Sequence, residues 1–211
     1  MRRIAKEEIN ELSEFLVEQF FENDQYQLMA KGIETQKAKR VAKEVFYVQL
    51  AYLYKHGDIF VVDSKARPNI SGTIIGIDRS KFTAFASLYL LVHEAKKALQ
   101  LLSKEELRLL IRNTKAVNEI QDAKWPKKYC KDEPYYFNLF AIAEESRGKG
   151  LCREMLENMF AFVKTLNRAT IVLETQAEKN VPIYEHFGFT LVETVQTKDA
   201  ALTEYRMIKT F

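Results

Sequence analysis

The sequence predicts a single α+β domain spanning residues 1–211, and three observations carry that prediction. The chain has 211 residues, 47% of them apolar and 29% charged, which is enough for one sizeable core and ordinary for a soluble globular protein. Residues 6–124 place apolar side chains mainly at helical spacing. From residue 135 onward, short runs rich in β-branched and aromatic residues alternate with helical segments, with no repeat, low-complexity tract or linker between them.

The elements follow in order. Ile9, Leu12, Leu16 and Phe20 form one helical face, broken by Glu22-Asn23-Asp24. Ala38, Val41, Ala42, Val45, Tyr52 and Leu53 form a second over residues 34–55, with Gly57 as its stop. Residues 59–64 read as a strand, 67–72 as a turn and 72–77 as the next strand. Phe82, Phe85, Tyr89, Val92, Ala95, Leu99 and Leu102 return to a helical period. Ser103 and Glu106 then make a capping box for a further helix that runs to about Lys124, where Trp125-Pro126 ends it. Residues 135–143 read as a buried strand, 144–150 as a turn, and 151–166 as a helix with Leu151, Met155, Leu156, Met159, Val163 and Leu166 on one face. A strand at 169–175, a short helix at 180–187 closed by Gly188, and two strands at 189–197 and 202–209 complete the chain.

Composition removes several function classes. The net charge of +3 is spread along the chain without a basic block, so a nucleic-acid partner is not expected. Cys130 and Cys152 have neither metal-site spacing nor the number for a disulfide framework, and His56, His93 and His186 are scattered, so no metal is expected. The N-terminus lacks the apolar core of a signal peptide, and no run approaches the ~20 apolar residues of a membrane span. A reducing, cytoplasmic setting without a membrane partner follows as the expectation.

The chemistry concentrates in the turn Arg147-Gly148-Lys149-Gly150, between a strand and a helix. Backbone N–H groups at a helix start are free donors, and together with the helix dipole they bind phosphate oxygens. Glycines let a pyrophosphate approach the backbone. Taken alone, the turn is equally an ordinary tight connection. It lacks the GxxxxGK[ST] of a P-loop, and Arg153 stands where a dinucleotide fold would want its third glycine.

The second signal lies about 30 residues further on. LFAIAEESRGKGLCREML, followed by LETQAEKNVPIYEHFGF at residues 173–189, resembles the GNAT family of N-acetyltransferases. The run with an LET strand end and N-x-P-x-Y-E-x-x-GF looks most like the puromycin N-acetyltransferase-like branch. The resemblance is firm over residues 135–190. It implies a three-layer fold with a mixed, mostly antiparallel central sheet of six or seven strands flanked by helices, and acetyl-CoA as co-substrate without a metal. The backbone of Phe140, Ala141 and Ile142 is expected to pair with the pantetheine arm in an opening between strands 135–143 and 169–175. Arg147, Gly148, Lys149, Gly150, Leu151, Cys152 and Arg153 are expected to hold the pyrophosphate. An N–H near Ile142 would stabilise the developing oxyanion. Glu145 departs from the family's usual Gln or Arg at the start of the phosphate turn.

The family transfers the acyl group directly to an amine, so Cys152 needs no covalent role. Tyr184 matches the tyrosine that protonates the leaving thiolate, and a phenol stays protonated at neutral pH. Asn180 matches an asparagine near the pantetheine arm, or else caps the short helix. Glu174 is the candidate general base, with a surface or ion-paired glutamate as the plain alternative. Tyr136 lies near the position where some relatives carry a carboxylate, and Glu133 could act through water. Gly188 and Phe189 read as a turn and a core anchor.

Residues 80–127 form an extra helical insertion on the expected acceptor side. Phe82, Phe85 and Tyr89 either line an apolar acceptor pocket or pack as a core stripe, and Phe20-Phe21 could form a rim, so acceptor specificity should map to residues 20–35 and 80–130. The expectation is an N-acetyltransferase acting on a small-molecule primary amine. Acetylation of a peptide or protein amine, or a catalytically impaired acyl-CoA-binding regulator, are the alternatives, and a homodimer is left open.

Overall fold

The computed structural model describes residues 1–64, 70–81, 83–199 and 201–211. Residues 67–69 of the turn expected at 67–72, and Phe82, lie outside the described residues, while residues 70–72 already belong to a strand. Strands β1 (Arg2–Arg3), β2 (Asp58–Asp63), β3 (Ile70–Asp78), β4 (Tyr135–Ile142), β5 (Thr170–Thr175), β6 (Thr190–Gln196) and β7 (Thr203–Thr210) form one sheet in the order β1-β2-β3-β4-β5-β7-β6. Every neighbouring pair is antiparallel except β4 and β5, which run parallel.

Helices α1 (Ile9–Phe20), α2 (Asp24–Ala30), α3 (Thr35–His56), α4 (Ala84–Leu101), α5 (Lys104–Asn118), α6 (Leu151–Thr165) and α7 (Val181–His186) complete the layers. Leu12, Phe15, Leu16, Phe46 and Leu50 of α1 and α3 pack with Val61, Ile75 and Ile77 on one face of the sheet. Met155, Leu156, Met159 and Val163 of α6 pack with Ile74, Phe137, Ile171 and Leu173 on the other. The three-layer expectation holds, because period-2 strands expose one set of side chains to each helical layer.

One glycine and a bulge shape the centre of the sheet. A Cβ on Gly76 would lie 2.3 Å from the Tyr135 ring, so that ring fills the space a side chain would need. The β3–β4 register pairs Ile75 with Leu139 but Gly76 with Phe137, which leaves Asn138 as an extra residue in β4. The parallel β4–β5 pairing covers only Tyr135–Phe137 against Ile171–Leu173. Past the bulge the two strands no longer pair.

Some boundaries differ from the sequence reading. The capping box at Ser103 and Glu106 forms in both directions, yet α5 ends at Asn118 rather than near Lys124, and Trp125–Lys128 is a separate 3-10 turn. The short α2 was hidden by its polar start. On α6, Leu166 ends up 38% exposed, because the helix has already stopped at Thr165. On α4 the core-stripe reading fails: Phe85 is 78% exposed, and Leu88, Tyr89, Val92 and Leu99 also face outward. The buried residues of α4 are Ala86 and Ala98, and its ties to α3 include the polar pairs Glu94 with Gln49 and Lys97 with Glu44 and the Tyr89 ring against Tyr52 at 6.1 Å. A helical period marks the apolar stripe but not which side of the helix meets a neighbour.

Candidate active site

The splay of β4 from β5 opens a cleft of about 740 Å³, lined by Phe137–Phe140 of β4, Leu173–Thr175 of β5, Asn180, Tyr184 and Thr203–Tyr205. Ala143 donates its N–H to Ser71 O, so Ala143 and Ala141 belong to the hydrogen-bonded pairs with β3. The alternation then aims the backbone groups of Phe140 and Ile142 away from β3, toward the opening. Of the three residues expected to offer backbone to a pantetheine arm, Phe140 and Ile142 are so placed. The backbone of Ala141 is used by β3, a correction that strand alternation explains. The Ile142 carbonyl accepts from Arg147 Nε at 3.1 Å, and Arg147 Nη2 also reaches Gln19 at 3.1 Å.

The glycine turn sits at the start of α6. Gly148 and Gly150 have φ of 72° and 82°, and nothing lies within 4 Å of where a Cβ would stand on either. Both positions therefore need glycine for conformation and leave open space above the helix terminus. Lys149 is exposed at this turn and Glu145 points to solvent just before it. Leu151 and Cys152 are half-buried, and burial pushes the Cys152 thiol above its ordinary value, which suits a packed residue rather than a nucleophile. Arg153 is tied to His186 at 3.0 Å and lies 5.4 Å over the Phe187 ring, joining α6 to the end of α7. Cys152 and Arg153 are therefore held by contacts within the protein.

Tyr184 is half-buried on α7, its ring edge-on to Phe189 at 5.6 Å. Burial, with the neighbouring Cys152, raises its phenol well above the ordinary value. It stays protonated throughout the neutral range and can donate. Asn180 makes no side-chain cap on α7; its Nδ2 donates to Thr175 Oγ1 at 3.0 Å, across the cleft floor. Gly188 takes φ 84° and Phe189 is buried, as the turn-and-anchor reading holds.

Glu174 stands at the end of β5, on the opposite face of the sheet from Leu173. Trp125 Nε1 donates to one of its oxygens and Tyr136 OH to the other. No ion pair involves it among the described residues. A second cavity of about 260 Å³ continues from the cleft, sharing Gln49, Gln121, Tyr136, Asn138 and Glu174 with it, and walled by Tyr52, Leu53, Ile77, Leu90 and Trp125. Glu133 is exposed and its carbonyl receives Arg168, outside this cavity. Phe85 does not line it, whereas Leu90 of the same helix does.

Three residues of the site escaped the sequence reading. Trp125 served there only as a helix end, although it is the chain's single tryptophan and is fully buried. Gln176 and Glu204 carried no motif. Glu204 is 2% exposed, and burial together with Glu174 pushes its carboxyl up to about 7. Among the described residues, no group of three or more His, Cys, Asp or Glu is placed to hold a metal, and no helix is long and apolar enough to cross a membrane.

A parallel strand pair parts at a bulge here, with a glycine turn and helix start at its mouth and a tyrosine across the gap, as the resemblance to the GNAT family implies. The family comparison agrees: residues 127–211, which contain both arms of the opening, match the family model described as an acetyltransferase (GNAT) domain. The matched stretch therefore carries the sequence pattern of an acetyltransferase domain. Among curated proteins, none matches. Solved structures with this fold include the histone acetyltransferase HPA2 and related acetyltransferase from Corynebacterium glutamicum, 15% identical, TM-score 0.64, over 99% of this chain and 94% of that one. A mosquito arylalkylamine N-acetyltransferase-like protein is 13% identical, TM-score 0.59, over 100% and 98%. The Drosophila melanogaster polyamine N-acetyltransferase is 13% identical, TM-score 0.56, over the same shares. The likeness to these structures extends over the helices of residues 84–118 as well as the matched domain.

Proposed function

We propose that the protein transfers the acetyl group of acetyl-CoA directly to the primary amine of a small molecule. One observation carries this reading: a single cleft joins the free edge of β4, Tyr184 and the unpaired-by-cation carboxylate Glu174. The residues fit acetyl-CoA. The outward backbone of Phe140 and Ile142 can pair with an amide-bearing arm, and the glycine turn with the N–H groups of Leu151, Cys152 and Arg153 can take the pyrophosphate.

Each residue then has a role. Glu174 attracts the acceptor as its ammonium ion and takes a proton from it, since only the neutral amine can attack. The N–H of Ile142 faces the opening and stabilises negative charge on the carbonyl oxygen as the C–N bond forms. Tyr184 gives its proton to the sulfur as the C–S bond breaks. Asn180 holds Thr175 and lies along the arm. Arg147 must release the Ile142 carbonyl before that edge can pair fully.

The acceptor sits in the smaller cavity, walled by residues of α3, by Leu90 of α4 and by the Gln121–Pro126 segment, so acceptor choice maps to α3 together with the insertion at 80–127, and not to Phe85. Its volume of about 260 Å³ supports a small molecule over a peptide. The N-x-P-x-Y-E-x-x-GF run supports kinship with the puromycin N-acetyltransferase-like branch. The test is release of free CoA thiol from acetyl-CoA across a panel of primary amines. Turnover that needs both substrates and falls in Tyr184→Phe supports the reading. Acetyl-CoA binding without turnover of any amine would instead favour the regulatory alternative.

A further inference from the structure

Glu204 is a buried carboxylate that this mechanism leaves unused, and it lines the same cleft as Glu174 and Tyr184. Strand register explains why. β5 and β7 pair Glu174 with Arg206 and Thr175 with Tyr205, so Glu174, Gln176, Glu204 and Arg206 all project from one face of the sheet. Arg206 holds Glu204 through Nε at 2.9 Å, but it also gives Nη1 to Glu193 of β6 at 2.7 Å and Nη2 to the Ile120 carbonyl at 2.6 Å. One guanidinium is thus divided between two carboxylates. Glu193 has a second cation, Lys128, at 3.1 Å. Among the described residues Glu204 has no second cation; its other oxygen accepts from Gln176 Nε2 at 3.5 Å.

We propose that Glu204 is a positioning residue for proton transfer, sharing with Glu174 the proton taken from the acceptor ammonium so that the two carboxylates work as one base. This rests on the acetyltransferase reading above. Two carboxylates in one poorly solvated site resist being ionised together, so a proton on either relieves the other. Burial, and after it the charge of Glu174, pushes the Glu204 carboxyl up to about 7, so it exchanges its proton near neutrality. The charged groups acting on Glu204 are Glu174 from β5 and Arg206 from its own strand, with Glu193 of β6 and Lys128 acting through Arg206. The balance is closed. The ammonium gives its first proton to the pair, which returns it to solvent. The C–N bond forms and the C–S bond breaks, Tyr184 protonates the sulfur, and the second amine proton restores Tyr184.

The experiment combines two readouts on the full chain. Protein labelled with carbon-13 at the glutamate carboxyls is titrated by NMR as wild type, Glu174→Gln and Glu204→Gln. A carboxyl titrating near neutrality, lost in Glu204→Gln and moved down by roughly one pH unit or more in Glu174→Gln, is expected. The pH dependence of kcat is then measured with tyramine and agmatine as acceptors. Its acid limb should move to lower pH in Glu204→Gln, with a plateau about tenfold lower, and Glu204→Asp should recover the wild-type limb in part. Independent titration of the two carboxyls, or coupled titration with an unmoved acid limb, overturns the proposal. Coupled titration in a wild type that acetylates no amine overturns the acetyltransferase reading on which it rests.

Discussion

The phenol of Tyr136, within the paired stretch of β4, donates to the carboxylate of Glu174 on β5, one residue past the last backbone pair, Phe137 with Leu173. The bond sits where the sheet opens, so it both marks the fork and holds the carboxylate that faces the acceptor cavity. Removing it in Tyr136→Phe leaves Glu174 with Trp125 alone. A hydrogen bond to a charged group contributes about 1.5–3 kcal/mol. Steady-state kinetics should show kcat/KM for the amine falling by roughly 10- to 100-fold, with acetyl-CoA affinity unchanged. An equal loss of acetyl-CoA binding would show that the bond supports the fork rather than the acceptor.

Tyr184→Phe removes the proton donor and little else, since the ring packs against Phe189. General acid catalysis contributes about 10²–10⁴-fold, so kcat should fall by at least about 10²-fold while calorimetric acetyl-CoA affinity stays the same. The raised phenol also predicts that wild-type kcat shows no alkaline loss from Tyr184 in the neutral range.

Gly148 adopts φ 72° with open space around it, so a side chain there meets strain and not a clash. Gly148→Ala should cost about 1–2 kcal/mol. Thermal unfolding would show this as a fall in Tm of roughly 2–8 °C.

Arg2 holds the Glu8 carboxyl down to about 2, by hydrogen bonding first and then by charge. A carboxyl depressed in the folded state stabilises it above the ordinary carboxylate range, and that stability is lost as pH falls toward the folded value. Arg2 also pairs with Asp63, so Arg2→Ala should be less stable than wild type near neutrality, the difference should shrink as pH falls through the carboxylate range, and its acid-unfolding midpoint followed by circular dichroism should lie at higher pH.

The strand–turn–helix of β4 and α6, and the run through Asn180, Tyr184 and Phe189, were legible because each is a local pattern with its own period and turn chemistry. The same holds for the Ser103–Glu106 cap. What the chain concealed is what depends on partners far apart in sequence. Trp125 and Tyr136 reach Glu174 across 49 and 38 residues, and nothing near any of them announces the contact. Glu204 joins the cleft only through the β5–β7 register. The fork needs the bulge at Asn138, which is set by pairing with β3 and not by the residue itself. β1 has two residues, too few for any period, and is held by β2 and by Arg3 with Asp58.

The central claim is that the fork and its glycine turn bind acetyl-CoA. Calorimetric titration of the purified chain with acetyl-CoA, with ATP as control and with Gly148→Glu alongside, tests it most directly. Selective binding of roughly micromolar affinity is expected, lost in Gly148→Glu, where a carboxylate would face the pyrophosphate. A well-folded wild type that binds no CoA ester, or binds ATP equally well, would contradict it.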